Sequence, residues 1–181
     1  MQSITLRGIV ERRLYDKDGN PLKMFKENSL WGVFKKVFDL DIKIPFLTGH
    51  WTTEAIRHNT IVPAALANVA GLINGVDTDV FKYLALGIGT ATATGLESEI
   101  VTGGGEITEA TVSLVTTTET DDTAQLVYEW TFSDSFAITE EGIFNASSSG
   151  DMLAYQNFSA VNVESGNKFE VTHKIVVQIP A

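Results

Sequence analysis

FAITEEGIFNASSSGDMLAYQNFSAVNV, residues Phe136 to Val163, is the stretch whose reading decides the fold. Phe136 to Thr139 reads as a short strand running to a corner at Gly142, and Ile143-Phe144-Asn145 resumes as a second strand. Asn145 to Asp151 has no periodicity and consists of residues that favour turns, so it reads as an exposed connection. Met152 to Val161 follows as a strand rich in apolar and aromatic residues. Strands paired across a polar loop make antiparallel sheet the expectation.

The same signal extends outward. Ala110, Val112 and Leu114 alternate with Thr111, Ser113 and Val115. Ala124, Leu126, Tyr128, Trp130 and Phe132 share a face, as do Phe169, Val171, His173, Ile175, Val177 and Ile179, with polar residues opposite. Antiparallel strands with one wet face produce this pattern. The fold class is therefore mainly β, an antiparallel β-sandwich or jelly roll, and residues 104–179 are expected to close on themselves.

The N-terminal half is more mixed. Ile4, Leu6, Gly8, Val10 and Arg12 alternate as a strand, Asp16-Lys-Asp-Gly-Asn-Pro21 makes a tight connection, and Leu22 to Glu27 is expected to return as the hairpin partner. Two short helices are predicted. The first spans residues 29–40, with Leu30, Val33, Phe34, Val37 and Phe38 on one face. The second spans 64–74, with a stripe of Leu66, Val69, Ala70 and Ile73 and with Gly75 as its stop. Residues 41–61 read as a long irregular stretch, and loops of that length are functional or tied down by a partner. The domain reading is 1–76 as hairpin, helices and a docking or oligomerisation segment, and 77–181 as the β unit, or one continuous domain. Leu30, Trp31, Phe34, Val37, Phe38, Phe46 and Trp51 form the candidate interface, because so much apolar surface outside the β alternation needs a cover.

Composition narrows the partners. The 181 residues include no cysteine, which excludes disulfides and thiolate metal sites. A net charge of −10 argues against a nucleic-acid partner. No run reaches the roughly 18 apolar residues of a membrane span, and no signal-peptide pattern opens the chain. Arg7, Arg12, Arg13, Lys17, Lys23, Lys26, Lys35, Lys36 and Lys43 all precede the acidic remainder, so the basic end is suited to an acidic neighbour, including a copy of the same chain.

The motifs that carry chemistry are not met. Asp16-x-Asp-Gly-Asn with Glu27 has half the spacing of a calcium loop, but its flanks read as strands. His50, Glu54 and His58 lack the His-Glu-x-x-His spacing of a helical zinc site. Gly87, Gly89 and Gly95 miss both the phosphate-loop and the dinucleotide patterns. Glu140-Glu141 would point to opposite faces of a strand, which defeats a paired-carboxylate glycosidase. His173 reads as a core imidazole. No catalytic residue, cofactor or metal ligand is assigned.

Tyr83-Leu-Ala-Leu-Gly-Ile-Gly-Thr90, Glu97 to Ile100, Ala137-Ile-Thr-Glu-Glu-Gly-Ile-Phe-Asn145 and Gly150 to Ala154 together resemble a group of tailed-bacteriophage virion proteins. The resemblance covers residues 80–179. The chain departs from the shared outline at Ile88, Glu141, Tyr155 and His173, where Glu141 stands in place of Ala and His173 in place of Trp. The resemblance implies a virion structural protein rather than an enzyme, made in the host bacterial cytoplasm. Its first form is a capsid decoration or accessory subunit on the head exterior, a homo-oligomer (trimer) contacting the major capsid protein. The alternative is a tail, baseplate or fibre-associated adhesion module contacting host glycan.

Overall fold

The structure is a computed structural model that describes residues 4–27 and 49–179. Its strands are β1 (Thr5–Tyr15), β2 (Pro21–Leu22), β3 (Met24–Glu27), β4 (Gly49–Thr52), β5 (Glu54–Arg57), β6 (Thr60–Ile61), β7 (Tyr83–Gly87), β8 (Thr108–Glu109), β9 (Thr111–Val115), β10 (Thr123–Thr131), β11 (Phe136–Phe144), β12 (Met152–Val163) and β13 (Lys168–Gln178). Among the described residues there is one α-helix, α1 (Ala65–Asn74). The helix expected over 29–40 lies outside the described residues, as do Leu30, Trp31, Phe34, Val37, Phe38 and Phe46. The protein is mainly β, with antiparallel sheets.

One sheet has the order β2-β1-β13-β10-β9, with β5 also on β1; a second has the order β6-β12-β11-β7-β8; β3 and β4 pair separately. Cross-strand partners share a face, so Leu14, Phe169 and Trp130 line up, as do Val10, His173 and Leu126. This is the alternation read from the sequence. These side chains join Leu84, Leu86, Ile138, Ile143 and Leu153 of the second sheet in one buried apolar cluster. Strands from both sides of residue 77 therefore share each of the two larger sheets. Residues 104–179 do not close on themselves, because β1 and β7 are interior strands of the two sheets.

Other expectations are corrected. β11 runs unbroken through Gly142, which pairs with Tyr155 and Ala85 and makes no corner. Glycine is required there by close packing: a Cβ would lie 2.9 Å from the Phe144 ring and 3.2 Å from the Met152 sulfur. The strand instead absorbs an irregularity between Ile138 and Glu140, where its register against β12 shifts. Only Pro21 and Leu22 return along β1; β3 leaves to pair with β4. The stretch 49–61 is not irregular, since β4, β5 and β6 pair with β3, β1 and β12 respectively. Helix α1 ends at Gly75 in the left-handed conformation, φ 75°, as expected, but its stripe is not buried. Ala65 is its buried residue, while Ile73 is 84% exposed.

The core-facing side of the six-stranded sheet is not covered throughout. Val112 and Leu114 on β9, Val177 on β13 and the flanking Ile4 and Ile179 are exposed. By register, Val112 belongs with Leu126 and His173, and Val177 with Leu6. The strip is built like core and left open at the β9 edge.

Candidate functional site

Ionisable side chains stand where the alternation calls for apolar ones. Arg12 sits on the inner face of β1 in register with Val171 and Tyr128, His173 on that of β13, and Glu141 on β11 opposite Gln156 of β12. All three residues are buried. Glu141 Oε1 lies 3.9 Å from Arg12 Nη1 and 3.9 Å from His173 Nε2, contacts too long for hydrogen bonds. His173 Nδ1 meets Asn59 Nδ2 at 3.2 Å. The Arg12 guanidinium lies over the Phe158 ring, 3.9 Å from its centroid. Arg12 Nε and Nη1, both Glu141 oxygens, Gln156 Oε1, Asn59 Oδ1 and His173 Nε2 are buried with no hydrogen-bond partner.

Burial dominates the electrostatics. It pushes the Glu141 carboxyl up to about 7, opposed by the Arg12 charge. It pushes the His173 imidazole down to about 3, assisted by Arg12. Arg12 itself is held below its ordinary value, chiefly by burial, with Glu141 opposing and Arg57 adding to the effect. At neutral pH the cluster thus holds a cation, a neutral imidazole and a carboxyl near its midpoint. Ion contacts without hydrogen bonds do not offset the desolvation of both partners, so this arrangement is not explained by stability.

A cavity of about 240 Å³ lies beside the cluster, between β3, β5 and β12. Arg12, Gln156, Phe25, Lys26, Glu27 and Arg57 are among the residues that line it. Arg57 Nη2 donates to the Glu27 carbonyl oxygen at 2.6 Å and ties β5 to β3.

On the opposite face of β11, Glu140 holds a loop. Its carboxylate accepts from the backbone N–H of Gly89 (3.1 Å), Ser98 (2.8 Å) and Glu97 (3.0 Å). Gly87 makes room for this carboxylate, which a Cβ would overlap. The Gly-rich segment after β7 is thereby a loop held by a buried anion. Asn157 adds to it, accepting from Ala91 N and donating to Ala91 O.

The residues singled out from the sequence are dispersed. Trp51 lies on β4, about half exposed, with its ring edge-on to Phe25 at 5.4 Å. Glu54 is engaged by Arg13, and His58 by the Gly8 carbonyl and Arg7, so the His50, Glu54, His58 trio does not converge. Asp16 accepts from Asp18 N, Asn20 N and Asn20 Nδ2, which is turn chemistry. Sequence reading missed Arg12 and Glu141 as a pair. The available signal was an inward Arg on an apolar alternation. Glu141 and His173, two of the departures from the phage outline, are neighbours here.

Comparison with known proteins finds no matching family model, no matching curated protein and no matching solved structure.

Proposed function

We propose that the chain is a structural component of a tailed-phage virion, a capsid decoration or accessory subunit on the head exterior, folded as a jelly-roll-like β-sandwich. The observation that carries this reading is the packing of the residues on which the phage resemblance rests. Ile143 pairs with Leu84 on one side and Ala154 on the other, and Glu140 reaches from β11 to the Glu97 and Ser98 amides. Groups far apart in sequence thus share one task, holding a sheet and its loop. This suits a family whose common residues specify a scaffold.

The exposed aliphatic side chains Val112 and Leu114 on β9, and Ile4, Val177 and Ile179 at the ends of β1 and β13, add support, since exposed apolar surface on a core-facing side marks contact with a partner. A second copy of the chain is the occupant assigned to it, within a homo-oligomer mounted on the major capsid protein. Immunogold labelling of virions and titration of purified heads test the reading. Label on heads with saturable, stoichiometric binding is the expected result. Label confined to tail or fibre, with binding to host polysaccharide, would replace it by the adhesion reading, which the exposed Trp51 ring favours.

A further inference from the structure

We infer that β9 is the surface through which two copies of this chain join, edge to edge and antiparallel, with Ser113 of each on the two-fold axis. The inference rests on the assignment of a second copy to the exposed β9 side chains and adds how the two copies meet. β9 ends the sheet order β2-β1-β13-β10-β9 and, among the described residues, pairs only with β10. Its outer edge therefore presents a row of unpaired backbone N–H and C=O groups, the template that a further strand completes. At the other ends of the two larger sheets β2, β6 and β8 have two residues each and β5 has four, whereas β9 has five. The usual protections of an edge are not built into it: Thr111 to Val115 includes no lysine, proline or other charged residue, and its register against β10 is unbroken.

Charge and side-chain pattern point to a copy of the chain as the occupant. A protein with a net charge of −10 repels its own copy through its acidic surface, and an uncharged edge lets two copies approach. Glu109, just ahead of β9, is already paired with Lys82 at 2.9 Å. Val112 and Leu114 stand on the core-facing side, 57% and 64% exposed, and Ser113 lies on the opposite face. Antiparallel pairing about Ser113 sets Val112 opposite Leu114 of the copy and Leu114 opposite its Val112, so four aliphatic side chains meet on one face. A slip of one residue turns the copy's apolar face to the wrong side. A slip of two leaves Leu114 opposite Ala110, or Val112 opposite Thr116, beyond the ends of the strand. The contact is isologous and closes after two copies, so the assembling unit is a dimer rather than the trimer that the phage resemblance implies.

The chain has no cysteine, so a single introduced thiol reports the register. In Ser113→Cys the two thiols face each other across the axis, with Cα atoms about 4.5–5.5 Å apart, within the roughly 4.4–6.8 Å that a disulfide spans. In Thr111→Cys each thiol lies opposite Val115 of the copy, about 13 Å along the strand from its mate. Both positions are exposed, and both variants should keep the wild-type urea midpoint. The full chain should sediment as a dimer at micromolar concentration. Under air oxidation Ser113→Cys should form linked dimer at least about tenfold faster than Thr111→Cys. Equal rates, or faster linkage in Thr111→Cys, overturn the register. A wild-type monomer overturns the contact with a second copy and leaves the edge to a strand of another protein. Heads enter neither measurement: a dimer that heads do not bind keeps this contact and removes the capsid reading, and a monomer that saturates heads does the reverse.

Discussion

Glu140 and Glu141 are adjacent on β11, both buried, and have opposite surroundings. Glu140 accepts three backbone N–H groups from the loop that follows β7, whereas Glu141 faces Arg12 and His173 with no hydrogen bond at all. Strand geometry accounts for the division, because successive side chains leave a strand on opposite faces. One carboxylate organises a loop; the other lies between two sheets.

Replacing Glu140 with Ala should release the 88–99 segment. Hydrogen bonds to a charged group contribute about 1.5–3 kcal/mol each, and their losses overlap, so destabilisation of about 3 kcal/mol or more is expected. Hydrogen exchange at Gly89, Glu97 and Ser98 should accelerate well beyond that of the β13 amides. Uniform acceleration everywhere would mean that the loop and the sheets unfold as one unit.

Glu141 and His173 should give opposing pH dependences. In the fold Glu141 keeps its proton up to about 7, against 4.5 for the free carboxyl, and His173 takes one only at about 3, against 6.5. Between 4.5 and 6.5 the folded chain carries an extra proton at Glu141 and lacks one at His173, so the two slopes cancel. Below 4.5 the His173 contribution remains, and stability falls with falling pH toward 3. Above 6.5 the Glu141 contribution remains, and stability falls with rising pH to about 7. In Glu141→Gln, stability should therefore climb by about 1.4 kcal/mol per unit of pH up to 6.5. In His173→Gln it should decline across 4.5 to about 7. Urea midpoints measured from about pH 4 to about pH 8 decide the matter, and parallel profiles in all three proteins would refute the pairing.

Trp130→Ala should cost about 3–5 kcal/mol, because the ring is buried and stacks edge-on with Tyr128 at 5.0 Å. Its Nε1 also donates to the Glu106 carbonyl oxygen at 2.9 Å. Trp130→Phe keeps most of the packing but loses that bond, so a smaller loss of about 1–2 kcal/mol is expected in chemical denaturation.

Leu114→Lys should leave the unfolding midpoint within about 0.5 kcal/mol, since the side chain is 64% exposed. If the open strip meets a second copy, the same substitution should lower the mass seen by light scattering. A wild-type monomer at micromolar concentration would count against that use of the strip.

The alternating strands were legible because one face of each is wet: Leu126, Trp130, Phe169 and Val171 follow the period of two and all lie in the core. Glu54 to Arg57 and Thr60-Ile61 were not, because they pair with Arg13 to Val10 and with Tyr155-Ala154, partners that no local window contains. Gly142 was misread for a related reason. A glycine is ambiguous until it is known whether a turn or a neighbouring ring needs the space, and here the neighbours are Phe144 and Met152. The candidate site was the least visible part. Arg12, Glu141 and Gln156 come together only when β1 of one sheet faces β11 and β12 of the other, while six of the seven interface candidates fall outside the described residues.

β1 pairs with β13 from Thr5 opposite Gln178 to Tyr15 opposite Lys168. Thr5 and Gln178 are 173 positions apart, so at the roughly 5–20 residues per second of translation the first strand waits about 10–35 s for its partner to leave the ribosome. During that interval Leu6, Val10 and Leu14 have no sheet neighbour on that side. A product cut short before β13 would leave both β1 and β10 with an unpaired edge, the kind of edge that pairs with other chains.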